Sequence, residues 1–485
     1  TTVGLNLLLV IVFIAYWIFN GFPTLNIYDV VLFRTSHYEF FIDFLFDKIT
    51  AVYLFVGAFL SFLVTIYSRY YLHREKGYKR FFNTILFFYL GYNLVIISGN
   101  LETLFIGWEI LGISSFLLIA FYRDRYLPVK NAVKVFSIYR IADVGIIMAM
   151  WMSHHLWNEN ITFLKLSQYE LVDAQLTQHS LIGVFISFMI LISAAAKSAQ
   201  LPFSSWLPRA MEGPTPSSAI FYGSLSVHMG IFLLLRTFPF WEHQLSIRIL
   251  IGLLGASTAL IATGIARVQS SVKSQIAYAS IAQIGLIFIE VAAGLETLAL
   301  IHFAGNAFLR TYQLLVSPSV VSYLIREQLF TFNSEDVKKK SNNAWLSNTF
   351  YLLCLKEFNI DSILYKYLWN PMKWFGNKLG RFSLKGLWIF FSISFILGLS
   401  LTYYESKVPG SIHSVIPTLF AFIGLIMVVK AFVERKSLRT SWLMILMNHF
   451  WIALAVSFNE HFNIIETIMF LSGIIVAGFV GYRVI

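Results

Sequence analysis

The sequence has little charge and almost no cysteine. Only 13% of its 485 residues are charged, and this is about half of the share that is usual in soluble domains. Apolar residues make up 58% of the chain, and 47 residues are Phe. A soluble globule could not bury that many apolar side chains. The composition therefore excludes a soluble enzyme, a nucleic-acid-binding domain and a disordered chain.

The single cysteine, Cys354, excludes a disulfide, a Cys-ligated zinc site and a Cys-bound iron–sulfur cluster within this chain. The sequence also lacks a phosphate-binding loop and any haem or flavin motif, so we expect neither ATP hydrolysis nor a redox step here. We therefore predict no metal and no cofactor in this chain, and a transporter subunit rather than an enzyme.

Long apolar runs dominate the chain, and a membrane-spanning helix needs about 20 mostly apolar residues. Fourteen segments qualify and predict an all-α polytopic membrane protein. They are residues 3–20, 49–67, 81–99, 101–121, 134–153, 181–198, 216–236, 247–266, 275–293, 296–324, 385–402, 413–432, 440–457 and 464–482. The first run is long enough to span, so we expect no cleavable signal peptide.

The loops between these segments alternate in their content of Lys and Arg. Basic residues concentrate in every second loop, for example at Arg74, Lys79, Arg123, Lys130 and the run Lys338–Lys340. Because cytoplasmic loops are the richer ones, this alternation predicts cytoplasmic N- and C-termini. The net charge of +11 then reflects membrane topology and not affinity for nucleic acid.

The spacing of the spans predicts four regions. Residues 1–80 form N-terminal helices, 81–324 a core, and 385–485 a C-terminal block of four helices. Residues 325–384 are mixed and charged, and we expect them on the cytoplasmic side. Two interpretations of this segment remain open: a docking surface for a soluble partner, or an amphipathic stretch lying on the bilayer.

Several charged residues fall inside the predicted spans, where a charge costs about 2.5–3.5 kcal/mol. Glu109 has no base nearby in the sequence, and it can be a neutral or hydrogen-bonded carboxyl. Arg140 and Asp143 are spaced to pair on one helix face, either as a local ion pair or as part of a transport path. Lys197 is followed by Pro202, which predicts a broken helix. A desolvated lysine can exchange protons, whereas a lysine at a helix end can also snorkel.

A second group of polar residues follows further along the chain. Pro214 and Pro216 can begin the next span without the loss of a helical hydrogen bond. His228 is either a functional group or a satisfied polar contact. His302, Asn306 and Arg310 recur every four residues, so they predict one polar stripe along a helix.

These residues by themselves predict a proton-conducting membrane protein, since proton relays use Asp, Glu, His and Lys within the bilayer. We expect Lys273 to extend the path and Asn306 to hold a bridging water. Arg310 should stay charged and act as an anchor or electrostatic barrier, with Glu290 as its expected partner.

Several motifs resemble the antiporter-like subunits of complex I, with subunit 5 of NADH-quinone oxidoreductase and Mrp-type sodium/proton antiporters as the nearest groups. They are Gly107-Trp-Glu109, Lys197-Ser-Ala-Gln-Leu-Pro202, Ala210-Met-Glu-Gly-Pro-Thr-Pro216, Val272-Lys273, Ile276-Ala-Tyr278-Ala and Gln283-Ile-Gly285. The similarity covers about residues 43–324.

The resemblance implies roles for individual residues. Glu109 and Lys197 match the Glu–Lys pair that couples proton movement, and Asp143 matches a nearby acid. Lys273 and His302 match positions on the central polar axis. The sequence departs from the family at three positions: it has Tyr222 and Asn306 where the family usually has His, and Arg310 where the family has Lys. Arg cannot realistically deprotonate.

Longer respiratory members carry further helices and a long C-terminal lateral helix, which we do not expect here. The chain therefore resembles more closely the membrane subunit of DAB-type inorganic-carbon complexes. That resemblance implies a large soluble carbonic-anhydrase-like zinc subunit as partner and the bacterial inner membrane as location. The alternatives are a subunit 5 with other complex I membrane subunits as partners, with the mitochondrial inner membrane as a second location, and a scaffold without a working proton path.

Overall fold

The structure is a computed structural model. It describes residues 2–34, 39–157, 159–168, 170, 172, 174, 176, 179–330, 344–380, 383–404, 409–413, 415–434, 437–459 and 462–484. The predicted basic run Lys338–Lys340 lies outside the described residues. The chain divides into two compact units, Thr1–Asp361 and Ser362–Ile485. Their boundary falls inside the predicted 325–384 segment, and the four-region division stays a prediction.

The first unit is built from long helices joined by short connections. Its helices are α1 (Thr2–Phe19), α2 (Lys48–Tyr71), α3 (Tyr78–Ile96), α4 (Leu101–Ile119), α5 (Tyr126–Trp157), α6 (Phe163–Leu166), α7 (Ser180–Lys197), α8 (Trp206–Ala210), α9 (Thr215–Trp241), α10 (Leu245–Val268), α11 (Val272–Ala292), α12 (Glu296–Phe330) and α13 (Ala344–Leu355). A 3-10 turn, Glu357–Asn359, and the start of α14 (Ile360–Leu364) follow.

The second unit is also helical in its described residues. After a π-helical turn, Tyr365–Trp369, it contains α15 (Asn370–Leu379), α16 (Leu384–Tyr403), α17 (Gly410–His413), α18 (Val415–Val433), α19 (Leu438–Asn459) and α20 (Ile464–Val484). Trp451, Phe420 and Phe458 form the centre of its core.

The predicted all-α membrane fold is confirmed. Every one of the fourteen predicted spans coincides with a helix, and among the described residues twelve helices are long and apolar enough to cross a membrane. The other two are α3 and α12. Both carry more polar side chains, such as Asn93 in α3 and His302 in α12.

One element differs from the helical prediction. Residues Leu25–Arg34 (β1) and Glu39–Phe46 (β2) pair as an antiparallel hairpin, with Leu25 opposite Phe46. Alternate residues of β2 are buried, namely Phe41, Asp43 and Leu45, as a strand with one inward face requires. Because each strand is shorter than the about 20 residues of a spanning helix, the search for long apolar runs did not identify the hairpin.

Helix α5 also begins earlier than the predicted span 134–153, so Lys130 is a helical residue and not a loop residue. Pro128 permits this early start, since a proline in the first turn removes no intrahelical hydrogen bond. The break after α7 and the start of α9 agree with the prediction. Pro202 lies in the connection after Lys197, Pro214 is the N-cap of α9, and Pro216 lies in its first turn.

Helix α9 has an irregularity that the sequence did not reveal. Residues Ser218–Ser224 form a π-helix and Ser226–His228 a 3-10 turn before regular helix resumes at Met229. All of Thr215–Trp241 is buried or nearly so. Irregular backbone at membrane depth is tolerated where protein surrounds it, and this is the setting of the candidate site.

Candidate functional site

Lys197 is the last residue of α7, and its side chain is fully buried. Its Nζ lies 4.7 Å from the ring centre of Trp108 and 4.2 Å from that of Tyr139. The ammonium has no hydrogen-bond partner within the described part of the chain. We call Lys197 with these two rings the Lys197 pocket. Aromatic faces stabilise a desolvated cation without accepting its protons in the way that a carboxylate does.

Acidic groups lie beside this pocket and are joined by Arg140. The Arg140 guanidinium binds Glu109, with Nη1 3.1 Å from Oε1 and Nη2 2.9 Å from Oε2. It also binds Asp143, with Nη2 2.8 Å from Oδ2. The predicted Arg140–Asp143 pair is therefore present. Both acids act electrostatically on Lys197, but Glu109 is hydrogen-bonded to Arg140 and not to Lys197.

The break after α7 is held by two hydrogen bonds. Trp206 Nε1 donates to Ala196 O at 2.8 Å, and Ser198 Oγ donates to Val227 O at 2.7 Å. Gly230 lets α9 approach α7 closely, because a Cβ atom at this position would lie 2.2 Å from Ala194 O. These contacts place the irregular part of α9 directly against the end of α7 that carries Lys197.

A second polar cluster joins α9 to α12, and we call it the α9–α12 polar line: His228, Asn306 and Arg310. Asn306 Nδ2 lies 3.0 Å from His228 Nε2, and Arg310 Nε donates to Asn306 Oδ1 at 3.1 Å. His228 Nδ1 contacts Ser224 O. Because a carbonyl only accepts, Nδ1 must carry a proton, and Nε2 accepts from Asn306. His228 is thus held as one neutral tautomer.

His302 belongs to a separate contact set, although it lies one turn from Asn306. Its Nδ1 lies 2.7 Å from Glu290 Oε1, and its Nε2 lies 2.8 Å from Gln283 Oε1. One ring nitrogen therefore faces a carboxylate and the other faces the side-chain amide of Gln283.

The expected anchor between Arg310 and Glu290 is wrong. Arg310 instead donates to Gln313 Oε1 at 2.7 Å and to Ala279 O at 3.3 Å. Helices α11 and α12 form an antiparallel hairpin, so Glu290, near its turn, faces His302. Arg310 lies eight residues further along α12, or about 12 Å at 1.5 Å per residue.

Lys273 lies apart from these clusters. It sits in the first turn of α11, ten residues from Gln283, and Glu212 is the charged group that acts on it. Tyr222, which stands where the family usually has His, donates from its hydroxyl to Ser115 O at 3.3 Å. Neither residue makes a hydrogen bond to the α9–α12 polar line in the described residues.

Some residues of the site were not identified from the sequence. Trp108 and Tyr139 form the walls of the Lys197 pocket, and Gln283 binds His302. Trp108 adjoins Glu109, and Tyr139 adjoins Arg140, so an aromatic residue beside each intramembrane charge was the available signal. Among the described residues, no group of three or more His, Cys, Asp or Glu is placed to hold a metal ion.

Two family models match parts of this chain. Residues 98–339 match the family described as NADH:quinone oxidoreductase/Mrp antiporter, transmembrane region. Residues 32–82 match the family described as NADH-ubiquinone oxidoreductase (complex I), chain 5 N-terminus. The chain belongs to the antiporter-like membrane subunit family.

Similar proteins of this family include NADH-ubiquinone oxidoreductase chain 5 of Halichoerus grypus. It is 33% identical over 288 residues, which cover 59% of this chain and 46% of that protein. The chloroplastic NAD(P)H-quinone oxidoreductase subunit 5 of Mesostigma viride is 30% identical over 364 residues, 70% of this chain and 55% of that protein. The chain thus spans about half the length of the curated relatives that it matches.

A solved structure shares the antiporter-like fold. A chain of the Mrp complex from Dietzia sp. DQ12-45-1b aligns with a TM-score of 0.57 and 17% sequence identity. The alignment covers 92% of this chain and 42% of that chain. At this identity, the likeness concerns the fold alone, and the roles of the buried charges rest on their own geometry.

Proposed function

We propose that this chain moves protons across a membrane as one subunit of a larger complex. The observation that carries the proposal is the Lys197 pocket. A fully buried ammonium without a hydrogen-bond acceptor stands next to Asp143 and to the Glu109–Arg140 pair. Proton relays in membranes use such chains of ionisable groups, and a lysine that no acceptor holds can release its proton to a passing water.

In this proposal, the α9–α12 polar line and the His302–Glu290 pair continue the path away from Lys197. His228, Asn306 and Arg310 form an unbroken series of hydrogen bonds, and His302 lies one turn before Asn306 in α12. Bridging waters would have to connect these groups to Lys197. Lys273 would serve at the end of α11, where Glu212 acts on it.

The experiment is a proton-flux measurement on the purified protein in lipid vesicles that contain a pH-sensitive dye. A membrane potential is imposed, and a protonophore defines full equilibration. We expect flux with the wild-type protein and background flux with Lys197→Ala. The matched control is Lys165→Ala, which removes an exposed lysine paired with Glu159 at 2.7 Å and should leave the flux unchanged. Equal flux from both variants would contradict the proposal.

For the coupled partner, we propose a large soluble zinc protein of the carbonic-anhydrase type, on the cytoplasmic face of a bacterial inner membrane. The chain would then supply the proton gradient to the uptake of inorganic carbon, with both of its termini in the cytoplasm. The support is the resemblance to DAB-type membrane subunits and the alternation of Lys and Arg among the loops. The 325–384 segment is the proposed docking region.

A respiratory complex is the second candidate, and the names of the relatives favour it, since the similar proteins are chain 5 or subunit 5 of quinone oxidoreductases. The partners would then be other complex I membrane subunits. Purification in mild detergent followed by identification of the co-purifying chains separates the two. A soluble zinc-containing chain supports the first, and several membrane subunits of an oxidoreductase support the second.

A further inference from the structure

A strained turn follows α13 and ends the first unit. Glu357, Phe358 and Asn359 have φ values of 51°, 53° and 54°, and three successive residues other than glycine in this region are rare. Such a conformation costs free energy and persists only where the surrounding structure holds it. The contacts that the turn makes with other helices therefore explain why its conformation persists.

The turn carries two acids that bind two bases from other helices. Glu357 accepts from both Arg209 nitrogens, at 2.7 Å and 2.8 Å. Asp361, at the start of α14, accepts from Lys134 Nζ at 2.6 Å and from Arg209 Nη2 at 3.3 Å. We call these four residues the clamp. Its two positive and two negative charges balance, and the Arg209–Glu357 contact is bidentate, which fixes geometry as well as charge.

The neighbouring charges in the clamp shift the pKa values of Arg209 and Asp361. Burial lowers the pKa of Arg209, but the hydrogen bonds and the charge of Glu357 outweigh this and raise the pKa above its usual range. Burial raises the pKa of Asp361, but Lys134 and Arg209 outweigh it and hold the pKa below its usual range. Arg209 and Asp361 therefore stay ionised across neutral pH.

Each base of the clamp is close in sequence to a residue around Lys197. Arg209 follows Trp206 by three residues in the short helix α8, and Trp206 donates to Ala196 O at 2.8 Å. Lys134 precedes Tyr139 by five residues in α5, and the Tyr139 ring lies 4.2 Å from Lys197 Nζ. The rings of Tyr139 and Trp206 touch edge to face, with centroids 5.1 Å apart. The clamp thus binds both α5, which carries Tyr139, and α8, which carries Trp206.

We propose that Glu357 and Asp361 are positioning residues for the Lys197 pocket. They hold α8 and the start of α5 at the spacing that keeps Tyr139 and Trp206 against the end of α7. The segment 344–361 packs on α10 within the first unit, since Cys354 is buried and its Sγ lies 2.9 Å from an ideal Cβ position at Gly264 in α10. Displacement of this segment would therefore reach Lys197 through two short helical paths. This inference rests on the proposed proton movement.

The test compares Glu357→Gln with Glu159→Gln, which removes the acid of the exposed Lys165–Glu159 pair. Proton flux in vesicles is measured across a range of pH. For Glu357→Gln we expect flux lower by about tenfold, because misplacement of a reacting group by about 1 Å can cost up to about 100-fold. We also expect a different pH for half-maximal flux, because the distance of Lys197 from its acidic neighbours changes. The control should match the wild type in both.

Two further measurements separate positioning from loss of folding. The conservative variant Glu357→Asp keeps a carboxylate opposite Arg209, and it should retain more flux than Glu357→Gln and a pH profile closer to that of the wild type. Hydrogen exchange, followed by mass spectrometry, should rise in Glu357→Gln at residues 196–210 and 134–139 and stay unchanged in the control.

The outcomes are distinct. If the wild type moves protons and Glu357→Gln keeps its pH profile and its hydrogen exchange, the positioning role is overturned. If the wild type moves no protons, the proposed function fails, and the hydrogen-exchange result alone decides whether the clamp positions the pocket. If flux falls but the pH profile and the hydrogen exchange stay the same, the clamp is a general support and the inference is likewise overturned.

Discussion

The Lys197 pocket and the α9–α12 polar line are both buried, but they satisfy their polar atoms differently. Lys197 contacts two rings and has no hydrogen-bond partner among the described residues. Both nitrogens of His228 have partners, and Asn306 and Arg310 continue the series. The Lys197 pocket holds a charged group whose N–H protons make no hydrogen bond in the described residues. In the α9–α12 polar line, hydrogen bonds fix which atoms carry the protons.

This difference separates two tasks in a proton path. A group that takes up and releases protons must be able to change its partners. A group that relays them in a defined direction benefits from one fixed tautomer and a fixed neighbour. We therefore expect substitutions at Lys197 to abolish flux and substitutions along the polar line to reduce it by degrees.

The largest effect is expected for Lys197→Arg, which keeps the positive charge but cannot release a proton. Flux in vesicles should fall by about 100-fold or more, since 100-fold is the lower end of the range for loss of one acid–base group. Lys165→Arg is the control at an exposed lysine. Wild-type flux in Lys197→Arg would mean that flux requires a positive charge at this position but no release of a proton. The Lys197 pocket and the α9–α12 polar line would then not differ in their tasks.

A smaller loss, about tenfold, is expected for His302→Ala, which is below the about 100-fold at which the range for an acid–base group that transfers the proton itself begins. His302 is the only residue of α12 that binds an acid in the described part of the chain, through Glu290. His155→Ala, at an exposed histidine near the end of α5, serves as control. Flux at the wild-type level in a well-folded His302→Ala would limit the relay to Lys197 and its acidic neighbours.

Arg310→Lys should have a weaker effect, a reduction in flux of about threefold or less and a loss of stability of about 1 kcal/mol, the usual value of one hydrogen bond. Arg310 donates to Asn306, Gln313 and Ala279, and an ammonium cannot reach all three in the planar arrangement of a guanidinium. Flux and thermal unfolding in detergent measure the two effects. A loss as large as that of Lys197→Arg would show that Arg310 takes part in proton exchange.

Asp43 extends the comparison to a buried charge outside the spans, and the expected effect is the smallest. Its carboxylate oxygens have no hydrogen-bond partner in the described residues, and burial raises the pKa of Asp43 to about 6. The folded state favours the neutral form of Asp43. The contribution of this carboxyl to the stability of the protein is therefore fully present below the unfolded pKa near 4, and it is lost as the pH rises through about 6.

In Asp43→Asn the side chain cannot ionise, so the stability that the wild type loses above about pH 6 should be kept. The variant should melt on the order of a degree or two above the wild type at pH 8, and the difference should vanish at about pH 3, where the wild-type acid is mostly neutral in both states. Thermal unfolding at the two pH values is the measurement, with Glu39→Gln in the same strand as control. A difference that persists at about pH 3 would show that the effect is steric and not electrostatic.

The sequence by itself was sufficient for the membrane class, for the positions of fourteen helices and for the break at Pro202. Each of these follows from local composition, because a lipid environment requires long apolar helices and proline interrupts them wherever it stands. Spacing along one helix was also enough to predict that Arg140 and Asp143 pair, since residues three apart share a face.

Only the tertiary structure decided which buried groups meet. Arg140 joins Glu109 to Asp143, Asn306 joins His228 to Arg310, and Glu290 binds His302 instead of Arg310. These pairings depend on the register between helices that are far apart in sequence, and a register shift of two turns moves a partner by about 11 Å. The clamp between Glu357 and Arg209 joins residues 148 positions apart, and its strained turn exists because tertiary contacts hold a backbone conformation that the local sequence disfavours.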